Sequence, residues 1–266
     1  MIKIGMVVEV PENPKELLKF EKKVKILYEL GYDGVDLNIR DPTIIDREKI
    51  WNILSRYEME VGSILTGKAF SIDKLSLTDP DESVRKKALK RIKDHISLAT
   101  YFSAIVLIGW IRGNWQGSDY SRKLFIESLR ECSREAENKG VKLGIEPINR
   151  HEIDSINTIC EAIKLLKEAN LPNTGIIADT YHMGLEEEEP IYESIIKCKD
   201  YLLHIHIADS DRKIPGEGNL PLKEFFEVLK KIGYQGFVSV ELPSSFDLLH
   251  TAKKSIEYIN KCLNLT

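Results

Sequence analysis

A closed (β/α)8 barrel is the fold this sequence predicts, on three observations. Short β-branched apolar runs recur eight times, stretches with helical apolar spacing lie between them, and the 266 residues are close to the about 250 that one such barrel uses. The first run, residues 2–8, precedes a helix over 17–30. There Leu17, Leu18, Val24, Leu27 and Tyr28 share one side and lysines and glutamates take the other. Gly31 stands where a C-cap would hand over to the second run, 34–39, and the third follows at 60–65. An amphipathic helix over 83–101 leads into the run 104–110, and another over 121–139, closed by Gly140, leads into 141–147. Residues 156–169 form the helix before the run 175–180, and the seventh run is 201–208. A helix over 222–231 with Gly233 after it precedes the eighth, 236–242.

Eight strands at a mean spacing of roughly 33 residues fit closure better than an open doubly wound sheet. The open sheet is the alternative, but no G-x-G-x-x-G follows the first run and no Walker A sequence is present. Without a low-complexity stretch or Pro/Ser-rich linker to divide it, the chain is expected to be a single α/β domain over residues 1–266.

A net charge of −4 gives no general attraction to phosphate backbones, and no local basic groove is evident, so no nucleic-acid partner is expected. Cys132, Cys160, Cys198 and Cys262 lie far apart with no C-x-x-C pair, which suits reduced thiols better than a zinc or redox site. The apolar N-terminus lacks a basic leader and a small-residue cleavage site, and no run approaches 18 apolar residues. A soluble cytoplasmic protein with no membrane partner is expected.

Barrels of this kind gather their chemistry at the C-terminal ends of the strands. In the second half, the fifth run ends in Glu146 and the sixth in Asp179, the seventh carries His206 and the eighth ends in Glu241. Taken singly, a carboxylate at a strand end commonly caps the next helix or pairs with a cation. Four potential ligands in consecutive βα units point instead to one divalent metal. Three carboxylates and one imidazole suit Mn²⁺ first, with Co²⁺ or Mg²⁺ as alternatives, and leave positions open for substrate oxygens.

The quotable motifs are E-P-I-N-R-H-E from Glu146, D-T-Y-H-M from Asp179, H-I-H-I-A-D-S-D-R-K-I-P-G-E-G from His204, and the terminal V-S-V-E-L. Through them the chain resembles the xylose isomerase-like TIM barrel superfamily, and within it the D-tagatose and D-psicose 3-epimerases. That resemblance implies a metal on Glu146, Asp179, His206 and Glu241, and substrate hydroxyls held by Glu152, His182 and Arg212. It also implies Glu146 and Glu241 as the pair that moves the proton. An acid/base on each face of a planar enediolate favours epimerisation of a small sugar, whereas shifting a carbonyl between neighbouring carbons needs one base only.

Several residues have plainer explanations. His204 lies deeper in the barrel than His206 and is expected to be a hydrogen-bonded interior residue. Trp110 and Trp115 fit packing as well as sugar contact, and the acidic run 186–189 is expected to be a solvated first helical turn. Arg212 precedes a P-G-E-G turn that would fold its loop over the barrel mouth. The alternatives are isomerases of the same superfamily acting on a sugar phosphate, an inosose or hydroxypyruvate, and a sugar-binding module without turnover. An endonuclease IV-like enzyme is disfavoured, since six histidines are few for a three-metal cluster. Similar barrels pair through exposed helices, so a homodimer or homotetramer is conceivable.

Overall fold

The computed structural model describes residues 1–171 and 173–264. In chain order its elements are β1 (Lys3–Glu9), α1 (Leu17–Leu30), β2 (Gly34–Asn38), α2 (Arg47–Arg56), β3 (Glu60–Leu65), α3 (Gly67–Ser71), α4 (Glu82–Phe102), β4 (Ile105–Ile108) and α5 (Asp119–Asn138). There follow β5 (Leu143–Ile145), α6 (Ile159–Ala169), β6 (Thr174–Asp179), α7 (Thr180–Glu186), α8 (Ile191–Lys197), β7 (Leu202–Ile207), α9 (Leu222–Lys231), β8 (Phe237–Val240) and α10 (Leu248–Leu263).

All eight strands are parallel and each pairs with the next, while β1 also pairs with β8, so the sheet closes on itself. The expected fold is therefore the observed one. Closure removes sheet edges and leaves the apolar faces two places to go, the barrel interior and the layer under the helices. The second layer is the larger. Phe20, Val24 and Leu27 of α1, Phe125 and Leu129 of α5, and Phe225, Phe226 and Leu229 of α9 are all buried against strand side chains such as Val35, Ile64, Val106 and Val238. Each such side chain contributes about 1.5–3 kcal/mol by leaving water.

Helix ends follow local chemistry. Gly31 takes φ 89° after α1 and returns its N–H to Leu27 and Tyr28 carbonyls, a conformation that would strain a residue with a Cβ. α6 starts at Ile159, three residues later than its apolar spacing suggests. Thr158 and Glu161 form a reciprocal capping box there, so the T-x-x-E spacing and not the apolar pattern sets the start. Among the described residues no helix is long and apolar enough to cross a membrane.

The acidic run 186–189 departs from expectation. It closes α7 instead of opening a helix, and Glu186 is buried, with its carboxylate on the backbone N–H and guanidinium of Arg150. Glu187 accepts from the Ile159 N–H and Ser194 hydroxyl. Partners about 28 and 36 residues back in the chain took these carboxylates out of water, and helical position alone carries no sign of them.

Candidate metal centre and active site

The four strand-end residues converge because the ladders of the second half run on to the barrel's C-terminal rim. Asp179 is the register partner of His206 across β6 and β7. The Glu146 N–H reaches the Ile108 carbonyl and the Glu241 N–H the Ile207 carbonyl, so both glutamates keep sheet geometry one residue past their strands. One donor atom from each of Glu146, Asp179, His206 and Glu241 lies within 4.8 Å of the others. His206 is fully enclosed, its Nδ1 3.0 Å from Glu146 Oε1 and 3.0 Å from Glu241 Oε2.

Asp179 serves two purposes with two oxygens. Oδ1 accepts from the N–H of Tyr181 at 2.7 Å and of His182 at 3.4 Å, capping α7, which is the ordinary explanation of a carboxylate in this place. Oδ2 is buried with no hydrogen-bond partner among the described residues. An acceptor desolvated and left bare costs on the order of 1–3 kcal/mol or more when charged, and a cation among the four donors would satisfy it. Oxygen-rich donors with one imidazole, this bare oxygen and the short mutual distances fit a divalent cation.

The electrostatics follow from burial and proximity. Burial pushes the Asp179 carboxyl up to about 6, against the pull of His182 and Arg212. Burial would raise Glu241 too, but the charge and hydrogen bond of His206, with Arg212 beyond, bring it down to about 2. Burial works to lower the His206 imidazolium, yet Glu241 and the hydrogen bonds of Asp36 and Glu146 hold it well above the ordinary histidine range.

The substrate-contact candidates form one group beside the cluster. His182 is on α7 and buried. Its Nδ1 takes Asn149 Nδ2 at 2.8 Å, and its Nε2 lies 3.2 Å from Arg212 Nη2 and 3.9 Å from Asp179 Oδ2. Glu152 accepts from Asn149 Nδ2 at 2.9 Å and from the Trp110 indole at 3.1 Å, and its carboxylate lies 3.6 Å from Arg212. The Arg212 guanidinium also lies over the Tyr181 ring, 4.4 Å from its centroid. Its loop is held by Asp209, whose carboxylate accepts the N–H groups of Ser210, Gly216 and Leu220. Trp110 lines the cavity, while Trp115 packs against Phe125 away from it.

Glu146, Glu152, His182, Arg212 and Glu241 open onto a cavity of about 1000 Å³. The cavity lining also includes Glu9, hydrogen-bonded by Asn38 and ion-paired with Lys68. Of the histidines outside the group, His95 is buried on α4 between the Arg91 and Ile39 carbonyls, and His250 lies on α10.

Asp36 and Arg112 are buried charges that the sequence-based expectations did not single out. Asp36, in mid-strand on β2, faces both His204 and His206. Arg112, in the turn after β4, is fully enclosed and donates to the carbonyls of Glu146 (2.8 Å), Ser155 (2.7 and 3.0 Å) and Ile156 (3.1 Å), tying the loop after β5 beneath the cluster. Burial lowers its guanidinium to about 10, so it stays charged at neutral pH. Arg112→Met is expected to remove about 3–5 kcal/mol of unfolding free energy, because three carbonyls lose a charged donor at once. Urea denaturation measures this, and an unchanged midpoint would show that the strap contributes little. An acidic or basic residue interrupting a strongly apolar strand or turn is the one sequence signal that could have flagged either residue.

Residues 24–262 match the family model for the xylose isomerase-like TIM barrel. The chain is 31% identical over 218 residues to an L-ribulose 3-epimerase of Methylomonas sp. strain DH-1, covering 81% of this chain and 75% of that protein. It is 29% identical over 232 residues to a D-psicose 3-epimerase of Enterocloster bolteae, covering 84% and 76%. The crystal structure of a 3-keto-D-glucoside 4-epimerase from E. coli superposes with a TM-score of 0.82 at 25% identity, over 98% of this chain and 100% of that one. With eight strands closed in one barrel and almost the whole length matched, the chain belongs to the xylose isomerase-like TIM barrel family.

Proposed function

We propose that the chain is a divalent-metal-dependent sugar epimerase of the ketose 3-epimerase type, with a small sugar as its substrate and one domain over residues 1–266. The observation that carries this is the pair of carboxylates, Glu146 and Glu241, each 3.0 Å from the same imidazole nitrogen at the cavity's edge. The sugar epimerases among its relatives support the reaction class.

A ketose C3 proton is weakly acidic because the neighbouring carbonyl can take up the charge left behind. A divalent ion on Glu146, Asp179, His206 and Glu241 supplies the Lewis acidity that stabilises that charge, Mn²⁺ being the best match to the donor set and Co²⁺ or Mg²⁺ the alternatives. One of the two glutamates removes the proton, giving a planar enediolate, and the other returns one to the opposite face. Glu152, His182 and Arg212 hold the sugar hydroxyls and so fix which carbon stands between the glutamates. Their mutual contacts orient them before the sugar arrives, which lowers the entropy lost on binding.

A second possibility keeps the chemistry and moves it one carbon. A cavity of about 1000 Å³ is at the upper end for a drug-sized ligand, and the structurally similar protein from E. coli is a 3-keto-D-glucoside 4-epimerase. The deciding experiment incubates Mn²⁺-loaded protein in deuterated water with a panel of free ketoses and one 3-keto-glucoside, reading products and label position. Deuterium at C3 of a ketose with its 3-epimer as product is expected. Label at C4 of the keto-glucoside alone selects the second possibility, and an aldose product would replace epimerisation by aldose–ketose isomerisation.

A further inference from the structure

A carboxylate inside a barrel is costly, by several kcal/mol, unless every lone pair has a donor. Asp36 has no exposure at all, and its partners come from two other strands. Oδ1 accepts the Ser63 N–H of β3 at 2.9 Å, while Oδ2 lies 2.6 Å from His204 Nε2 and 3.1 Å from His206 Nε2, both on β7. Space is made for the group as well. A Cβ at Gly62 would stand 2.6 Å from Asp36 Oδ1 and 3.0 Å from His204 Cε1, so the neighbouring strand gives up a side chain where the carboxylate and ring meet.

The His206 ring is divided between two sets of acceptors: Nε2 faces Asp36, and Nδ1 faces Glu146 and Glu241. An imidazole can offer a lone pair from one nitrogen only if the proton stays on the other. An ionised carboxylate accepts and cannot donate, so Asp36 keeps that proton on Nε2 and leaves Nδ1 for the cluster. We propose that Asp36 is a positioning residue which sets the tautomer and ring plane of His206 for a divalent cation, with His204 holding the same carboxylate oxygen and the Ser63 N–H holding the other. This rests on the metal centre described under Proposed function.

Asp36, His204 and His206 could themselves be taken for a second cation site, since their donor atoms are close. The 2.6 Å contact argues against it: two ligands about 2.1 Å from one ion at a right angle stand roughly 3 Å apart, whereas 2.6 Å is a direct charge-assisted hydrogen bond.

Two measurements test the role. In the full chain loaded with diamagnetic Mg²⁺, the ¹⁵N shifts of His206 are expected to report a protonated Nε2 and an unprotonated Nδ1; a proton on Nδ1 overturns the proposal, and no variant has to fold for that result. Titration of metal-stripped protein with Mn²⁺ by calorimetry is expected to show binding about 10–100-fold weaker in Asp36→Asn than in the parent. Equal affinity overturns the positioning role but leaves the metal centre standing. A parent chain that takes up no Mn²⁺ overturns both, and two Mn²⁺ ions per parent chain with one in the variant would assign the trio to a second ion and overturn the positioning role.

Discussion

Glu146→Gln and Glu241→Gln are each expected to lower ketose epimerisation by about 10²–10⁴-fold or more and to abolish exchange of the C3 proton with deuterated solvent from the one epimer whose proton that glutamate removes. Glutamine keeps the volume and one acceptor oxygen but has no basic site for a proton. Collapse of the loops is a poor competing explanation for lost turnover, since Arg112 grips the Glu146 carbonyl and the Glu241 N–H stays in the β7–β8 ladder, both of them main-chain contacts. Because both side chains also contribute donor atoms to the cluster, the assay must run at saturating Mn²⁺, so that weakened ion binding is not read as a lost base. Exchange is followed by proton NMR from either epimer, since each face of the intermediate would be served by a different glutamate. Parent-rate conversion in either variant would remove that residue from the proton-transfer pair.

How the site came to be visible in the sequence, and where visibility stopped, follows from the range of the interactions. Strand positions fell within a residue or two throughout, because β-branched runs between helical stretches are a local signal: residues 60–65 match β3 in full, and 34–39 exceed β2 by Ile39 alone. The rim residues were legible for a related reason. Once a barrel is assumed, the last polar residue of each strand must face its mouth, so Glu146, Asp179, His206 and Glu241 could be picked out with no knowledge of their distances.

What stayed hidden depends on contacts distant in sequence. Nothing near Asp36 announces that His204, 168 residues later, will lie 2.6 Å from it. Arg112 reads as a surface turn until the 155–156 carbonyls fold over it. The acidic run 186–189 misled because propensity and the helix dipole are read from local sequence, whereas Glu186 is fixed by the backbone and side chain of Arg150, 36 residues earlier. His204 shows the intermediate case: its depth in the strand indicated an interior hydrogen bond, and only the coordinates name the partner.

Removing the divalent ion is expected to silence the enzyme and soften the fold together, and the second effect makes the test more than an activity assay. Glu146, Asp179 and Glu241 bring three carboxylates to within 4.8 Å of one another, only partly offset by His206, His182 and Arg212, and Asp179 Oδ2 has no donor among the described residues. A ligand that binds only the folded chain adds about 2.7–4.1 kcal/mol at 100–1,000 times its Kd. For a domain of this size each kcal/mol moves the midpoint by about 2–4 °C, so Mn²⁺ added to chelator-treated protein should raise Tm by roughly 5–15 °C. Epimerisation should return over the same concentration range, with Co²⁺ and Mg²⁺ tested beside Mn²⁺. The Asp179→Asn variant, which supplies Oδ2 as an amide, should lose most of the shift while its metal-free Tm stays near or above the parent's, because one of the crowded carboxylates has been neutralised. Full turnover after exhaustive chelation, with no change in Tm on adding Mn²⁺, would leave the four rim residues as a hydrogen-bonded cluster and would require a proton-transfer mechanism that works without Lewis acidity.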